Sequence, residues 1–151
     1  MPDTLPGTVA PVLSVRPAEP TDADGVYRLL CAFATSYVPA RATFDVDYPR
    51  LLAAATADLL VAGTGTVVGY ALAHHLLVLY AGGPVTELQE LMVDPAYRGR
   101  GVGRTLVAAV LERAAAAGSR EVTVPTRRAR DFYLRLGFTE TATYLKRPLA
   151  G

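Results

Sequence analysis

LMVDPAYRGRGVGRTLVAAVL, residues Leu91 to Leu111, is the stretch on which the reading of this chain turns. An apolar run, Leu91-Met92-Val93, stops at Asp94-Pro95. Gly99, Gly101 and Gly103 then alternate with Arg98, Arg100, Val102 and Arg104. From Val102 onward, Leu106, Val107, Val110, Leu111 and Ala114 repeat at helical spacing, and Gly118 closes the run. A strand is handing over to a helix through glycine, which weakens both elements, so the glycines need another reason to be there. The first amides of a helix have no intrahelical acceptor and carry the positive end of its dipole. Glycine permits unusual backbone angles and close approach of a ligand. Together they make a nest of amides fit for a pyrophosphate, with Arg98, Arg100 and Arg104 adding positive charge.

Two common phosphate loops do not fit. A Walker loop requires a lysine followed by serine or threonine after its last glycine, and none is present. The dinucleotide fingerprint G-x-G-x-x-G would need glycine at Arg104 or at Leu106. Such a domain also carries its loop after the first strand, whereas here several strands precede it.

Outward from the loop, the pattern gives one domain over residues 13–151, with residues 1–12, holding prolines at 2, 6 and 11, as a flexible tail. Leu13 to Ala18 alternate as a strand. Thr21 is expected to cap a helix with Asp24 in its first turn and Val26, Leu29, Leu30 and Phe33 on one face. Pro49 suits the first turn of a second, short helix through Leu52 and Ala55. Asp58–Gly63 and Val67–Tyr80 read as a hairpin, Thr86–Val93 as the strand before the loop, and Arg120–Pro125 as the strand after the long helix. Ala129, Phe132, Tyr133 and Leu136 form a further helical face, and Phe138–Lys146 is expected as a last strand. The order βααβββαβαβ is an α+β fold with a mixed, mostly antiparallel sheet flanked by helices.

Read as R-x-x-G-x-G, Arg98 to Gly103 resembles the acyl-CoA loop of the GNAT N-acetyltransferases. The strand and V-x-P turn of Leu91 to Pro95 stand before it as they do in that family. Downstream, Ala129-Arg130-Asp131-Phe132-Tyr133 and Leu136-Gly137-Phe138 resemble the family's A-x-x-F-Y-x-x-x-G-F segment. The likeness spans roughly residues 13 to 147. One departure is Thr126, where many members carry asparagine; a hydroxyl replaces one amide hydrogen bond there but not both.

The resemblance implies an acetyl-CoA-dependent N-acetyltransferase that moves an acetyl group directly to a primary amine of a small molecule or peptide. The alternative is a non-catalytic acyl-CoA-binding sensor or regulatory module. It implies acetyl-CoA as co-substrate, held by the backbone of Leu91, Met92 and Val93, by Arg98, Gly99, Arg100, Gly101, Val102, Gly103 and Arg104, and by Thr126 and Phe132. It gives Tyr133 the role of acid toward the leaving thiolate. By pattern alone Tyr133 is one member of an apolar helical stripe. A phenol, with a reference pKa of ~10 against ~8.5 for a thiol, serves there as hydrogen-bond donor as readily as acid. For the base, Glu87 comes first and Glu90 second, with ordered water as the alternative; strand alternation would place the two on opposite faces.

His74 and His75, adjacent on a strand, point to opposite faces, so one of them could line an acceptor pocket and even serve as base, although a satisfied structural histidine is the commoner outcome. Tyr37, Arg41 and Tyr48 fall where the family walls its acceptor site. Arg127 and Arg128 are expected at the start of the Tyr133 helix, where cations oppose the dipole and hint at an anion.

Composition narrows the rest. The chain has 151 residues, 51% hydrophobic, with 15 basic against 14 acidic side chains. That balance argues against a nucleic-acid partner. No run approaches the ~18 apolar residues of a membrane span, and the start lacks the pattern of a secretion signal, so a cytoplasmic protein is expected. One cysteine, Cys31, and two histidines give no metal cluster, so no metal is expected. A homodimer is compatible with the resemblance.

Overall fold

The computed structural model describes residues 13–34 and 37–150; the tail expected at residues 1–12 lies outside them. The elements are β1 (Ser14–Pro17), α1 (Ala23–Phe33), α2 (Arg41–Ala53), β2 (Ala57–Gly63), β3 (Val67–Leu77), β4 (Pro84–Val93), α3 (Val102–Ala116), β5 (Val122–Thr123) and α4 (Arg130–Arg135). Short 3-10 turns at Pro20–Asp22 and Pro95–Tyr97 lead toward α1 and α3. The five strands form one sheet in the order β1-β2-β3-β4-β5. Every pair is antiparallel except β4–β5, which is parallel.

Each face of the sheet is covered, because each face of its central strands is apolar. Leu60, Ala62, Ala71, Ala73 and Leu88 pack under α3 through Val102, Leu106, Val107 and Val110, with Tyr133 of α4 beside them. The other face carries Leu59, Val61, Tyr70 and Leu72 under Val26 and Leu29 of α1 and Phe44 and Tyr48 of α2. The helical repeats at 26–33 and 102–114 thus mark the sides that meet the sheet. Asp22, 7% exposed, ties the entry of α1 to β1. Its carboxylate takes two bonds from Arg16, at 2.7 and 2.9 Å, and one from the Glu19 amide at 2.8 Å.

Three expectations change. Thr21 lies within the 3-10 turn, and α1 begins after Asp22 rather than on a threonine cap. Pro49 sits inside α2, not in its first turn, because the helix starts at Arg41. The last strand over Phe138–Lys146 is not formed, and the chain from Thr139 to Ala150 is exposed throughout. Within Phe138–Lys146 the two large apolar side chains after Phe138, Tyr144 and Leu145, are neighbours, so alternation sends them to opposite faces and neither face has an apolar row to bury.

Candidate active site

The β4–α3 junction is built as the loop sequence requires. Asp94 fixes its base: its carboxylate accepts from the Ala96 amide at 3.0 Å and pairs with Arg28 of α1 at 3.0 Å. These two bonds, the amide first, hold the Asp94 carboxyl below its usual range. Gly99 and Gly101 then take φ of +75° and +80°, the left-handed region that side-chain-bearing residues avoid. Gly101 is the N-cap of α3. The first bond of the helix runs from the Thr105 amide to the Gly101 carbonyl at 3.0 Å, doubled by the Thr105 hydroxyl at 2.8 Å. Among the described residues the amides of 99–104 have no backbone acceptor. Gly103 answers a different need. A Cβ there would stand 3.2 Å from Cζ of Phe132, so glycine lets α3 close on α4.

The guanidiniums are less committed than the amides. Arg98 stacks over Phe33 at 5.2 Å, and Arg100 over Tyr97 at 5.2 Å. Arg104 is exposed on the first turn of α3.

Beside the loop the sheet opens. β4 and β5 pair only at Thr86–Val122 and Glu87–Thr123. Two residues later Pro125 offers no amide. From Leu88 to Val93 the side of β4 turned toward β5 has no backbone partner among the described residues, so Leu91, Met92 and Val93 border an open edge. The side chains of Leu91 and Val93 pack toward α3, and that of Met92 toward α1 and α2.

The two glutamates do not fall on opposite faces. The β3–β4 register slips between Leu72 and Ala73, which pair with Glu90 and Leu88 and leave Gln89 as an extra residue. That bulge reverses the alternation. Leu72 belongs to the α1–α2 core and Ala73 to the α3 core, so Glu90, opposite Leu72, faces α1 and α2. Glu87 pairs with His74, two residues beyond Leu72, and faces the same way. Glu87, Glu90 and His74 therefore share one face, next to the open edge of β4. The Tyr70 hydroxyl donates to Oε1 of Glu90 at 2.8 Å.

Tyr133 lies on the other side of the opening, 6% exposed, with its ring edge-on to Phe132 and Phe138. No fully buried side-chain polar atom lacks a partner among the described residues. The Tyr133 hydroxyl has no protein partner there, so it is the part of the side chain that keeps contact with solvent. Burial pushes the phenol up to about 12. The Thr126 hydroxyl oxygen accepts from the Ala129 amide at 3.0 Å, which fixes the turn into α4 and leaves its O–H free to donate. Arg127 and Arg128 precede α4 rather than open it; the helix opens on Arg130, which pairs with Glu140 and with Asp131 of the same turn.

His75 is the structural histidine of the pair. Its Nε2 lies 2.7 Å from Asp58 Oδ2 and its Nδ1 2.7 Å from Thr86 Oγ1. Arg113 pairs with the same aspartate at 3.1 Å, and Ser119 Oγ lies 2.7 Å from Thr86 Oγ1. This is the connectivity of a nucleophile, base and acid, yet Thr86 is fully buried and no substrate reaches it. The chain of polar groups ties β2, β3, β4, α3 and the turn before β5 together. Tyr48 donates to the Glu19 carbonyl at 2.6 Å and belongs to the core, not to an acceptor wall. Arg41 is held by Asp24 and Asp45 over the rings of Tyr27 and Phe44, while Tyr37 is exposed. No group of three or more metal-ligating side chains forms among the described residues.

The acetyltransferase (GNAT) family pattern matches residues 23–138. The chain belongs to this family. By that membership it is an N-acetyltransferase with acetyl-CoA as co-substrate. It is 33% identical over 137 residues to the aminoalkylphosphonate N-acetyltransferase of Salmonella typhimurium, covering 88% of this chain and 89% of that one. An acetyltransferase of Trypanosoma brucei superposes with a TM-score of 0.76 at 25% identity, over 91% of this chain and all of that one. An aminoglycoside N-acetyltransferase solved with CoA shares the fold, with a TM-score of 0.83 at 22% identity over 94% and 97% of the two chains. Among the described residues no helix is long and apolar enough to cross a membrane.

Proposed function

We propose that this family member transfers the acetyl group of acetyl-CoA directly to the primary amine of a small molecule, in a complex that holds both substrates. The observation that carries the reading is the open edge of β4 from Leu88 to Val93, running into the amides of residues 99–104, which have no backbone acceptor among the described residues. An extended pantetheine has backbone to pair with along that edge. Its pyrophosphate has the amides at the end of α3, where charge-assisted hydrogen bonds are strongest. Arg98 and Arg100, stacked on aromatic rings, add charge without being the principal ligands. Phe132, whose ring lies 3.2 Å from where a Gly103 Cβ would stand, flanks the same loop.

The chemistry needs a neutral amine and a departing thiolate. Glu90 or Glu87, on the face toward α1 and α2, takes a proton from the ammonium. The nitrogen lone pair attacks the thioester carbonyl carbon, the C–N bond forms, and the C–S bond breaks with its electron pair on sulfur, which takes the second proton of the acylated nitrogen and leaves as the CoA thiol. Tyr133 donates its hydroxyl hydrogen bond to that sulfur from across the opening. With its pKa near 12 the phenol stabilises the thiolate as a donor rather than by giving up its proton.

The acceptor tested first is an aminoalkylphosphonate, because the relative that matches over most of both chains is named for that substrate. Acetyl-CoA is titrated calorimetrically into the purified protein, and thiol release is then followed with aminoalkylphosphonates, polyamines, aminoglycosides and peptide amines. Binding followed by release with one amine class is the expected result. Binding without release across the panel would turn the reading toward an acyl-CoA sensor, and absence of binding would refute it.

A further inference from the structure

Tyr70 stands on β3 with its ring in the core that α1 and α2 build, beside Val26, Leu29, Phe44 and Tyr48. It is 2% exposed. Its cross-strand neighbour is Met92, and the next pair on that face is Leu72–Glu90, so its hydroxyl reaches diagonally across the sheet to Oε1 of Glu90 at 2.8 Å. Burial, the charge of Glu90 and the hydrogen bond itself hold the phenol far above its ordinary range. Tyr70 therefore keeps its proton wherever an enzyme works. It donates permanently and relays nothing.

The two candidate carboxylates differ in this respect. Both lie on the face toward α1 and α2, but Glu87 has no side-chain hydrogen bond among the described residues, whereas Glu90 is tethered by one oxygen. An untethered glutamate must lose its rotamer freedom in the reacting complex; a tethered one has lost it on folding. The tether lies in the regular part of the ladder, where Tyr70–Met92 and Leu72–Glu90 are successive pairs on one face; the bulge at Gln89 lies beyond Glu90 and brings Glu87 onto that face as well.

We infer that Tyr70 is a positioning residue for the reaction: its hydroxyl fixes the Glu90 carboxylate through Oε1 and leaves Oε2 to take the proton from the acceptor ammonium. The inference rests on the transferase reading above. In the step, the ammonium N–H bond breaks and its proton passes to Oε2. The freed lone pair then forms the C–N bond as the C–S bond breaks, the acylated nitrogen gives its second proton to the departing sulfur, and Glu90 returns its own to water after the product leaves.

The experiment compares wild type, Tyr70→Phe, Glu90→Gln and the double variant, with thiol release as the assay and thermal melting as the control for folding. Tyr70→Phe keeps the ring in its core. It is expected to lower kcat roughly tenfold with the KM for acetyl-CoA unchanged, as for a displaced but present base. Glu90→Gln is expected to lower kcat roughly a hundredfold. The double variant should be no slower than Glu90→Gln, since Tyr70 acts only through Glu90. Full activity of Tyr70→Phe, or a double variant slowed by the product of the two single effects, would overturn the inference.

A second readout does not depend on turnover. The buried, hydrogen-bonded Tyr70 O–H should give a low-field proton resonance that is absent in Tyr70→Phe and moves upfield in Glu90→Gln. A resonance indifferent to Glu90→Gln would overturn the inference even in a protein that turns over. Failure of the wild type to release thiol with any amine would instead refute the transferase reading on which the inference rests.

Discussion

Replacing Gly101 by alanine separates the two demands made on the loop. The residue has φ +80° and ψ 11°, and a Cβ there would meet no atom within 4 Å. Alanine has room, so its effect comes entirely from the backbone. Holding an L-residue in the left-handed region costs about 1–2 kcal/mol. For a domain of this length each kcal/mol lowers the melting temperature by about 2–4 °C, so a loop that keeps its shape predicts a loss of about 2–8 °C. If the loop instead relaxes away from that φ, the loss shrinks and the amides of Val102 and Gly103 swing out of line. One hydrogen bond to a charged oxygen is worth about 1.5–3 kcal/mol, so acetyl-CoA would then bind about 10- to 100-fold more weakly. The variant thus loses stability, affinity, or some of each. Gly101→Asn, whose side chain tolerates this region, should fall between wild type and alanine. Differential scanning calorimetry and titration of acetyl-CoA measure both quantities on one sample. Unchanged melting together with unchanged affinity in Gly101→Ala would refute the claim that the left-handed glycine shapes a phosphate nest. Gly103→Ala is the control, since its Cβ meets the Phe132 ring at 3.2 Å and acts through packing instead.

Tyr133→Phe removes a hydroxyl that no protein group uses among the described residues, so melting should hold while kcat falls about 10- to 100-fold in the thiol-release assay. The phenols of Tyr48 and Tyr133 are both pushed to about 12 by burial, from an ordinary 10.0. Between these values the unfolded chain ionises first, so the stability present below pH ~10 is lost as the pH rises toward ~12. Melting temperature followed across that window should fall, and fall less steeply in Tyr48→Phe and Tyr133→Phe. Thr86→Val leaves His75 and Ser119 without the oxygen that bridges them inside a fully buried site. It should cost about 1–3 kcal/mol in urea denaturation.

What the sequence makes legible here is what a single residue type demands locally. Gly99 and Gly101 are readable because left-handed backbone and side chains exclude each other, and the repeats at Val26–Phe33 and Val102–Ala114 because each helix has one side to bury. Signals that need a register are lost. TELQELMV contains no glycine or proline to mark the bulge at Gln89, so alternation sets Glu87 and Glu90 apart where the folded strand sets them together. α4 starts three residues later than expected, which moves Arg127 and Arg128 off the helix and takes away the dipole argument for an anion beside them. Asp58, His75, Arg113, Thr86 and Ser119 come from five separate segments, and nothing near any of them in sequence announces the chain they form. The consequence reaches the chemistry. The cofactor side of this site is specified by backbone conformation, which glycine betrays, whereas the acceptor side is specified by one inserted residue in a strand. A single deletion at Gln89 would leave every candidate side chain in the protein and close the strand into a regular ladder, with Glu87 and Glu90 two residues apart and still on one face. Such a variant should retain both acetyl-CoA binding and transfer; binding with loss of transfer would show that the acceptor side needs the bulge itself and not only the shared face.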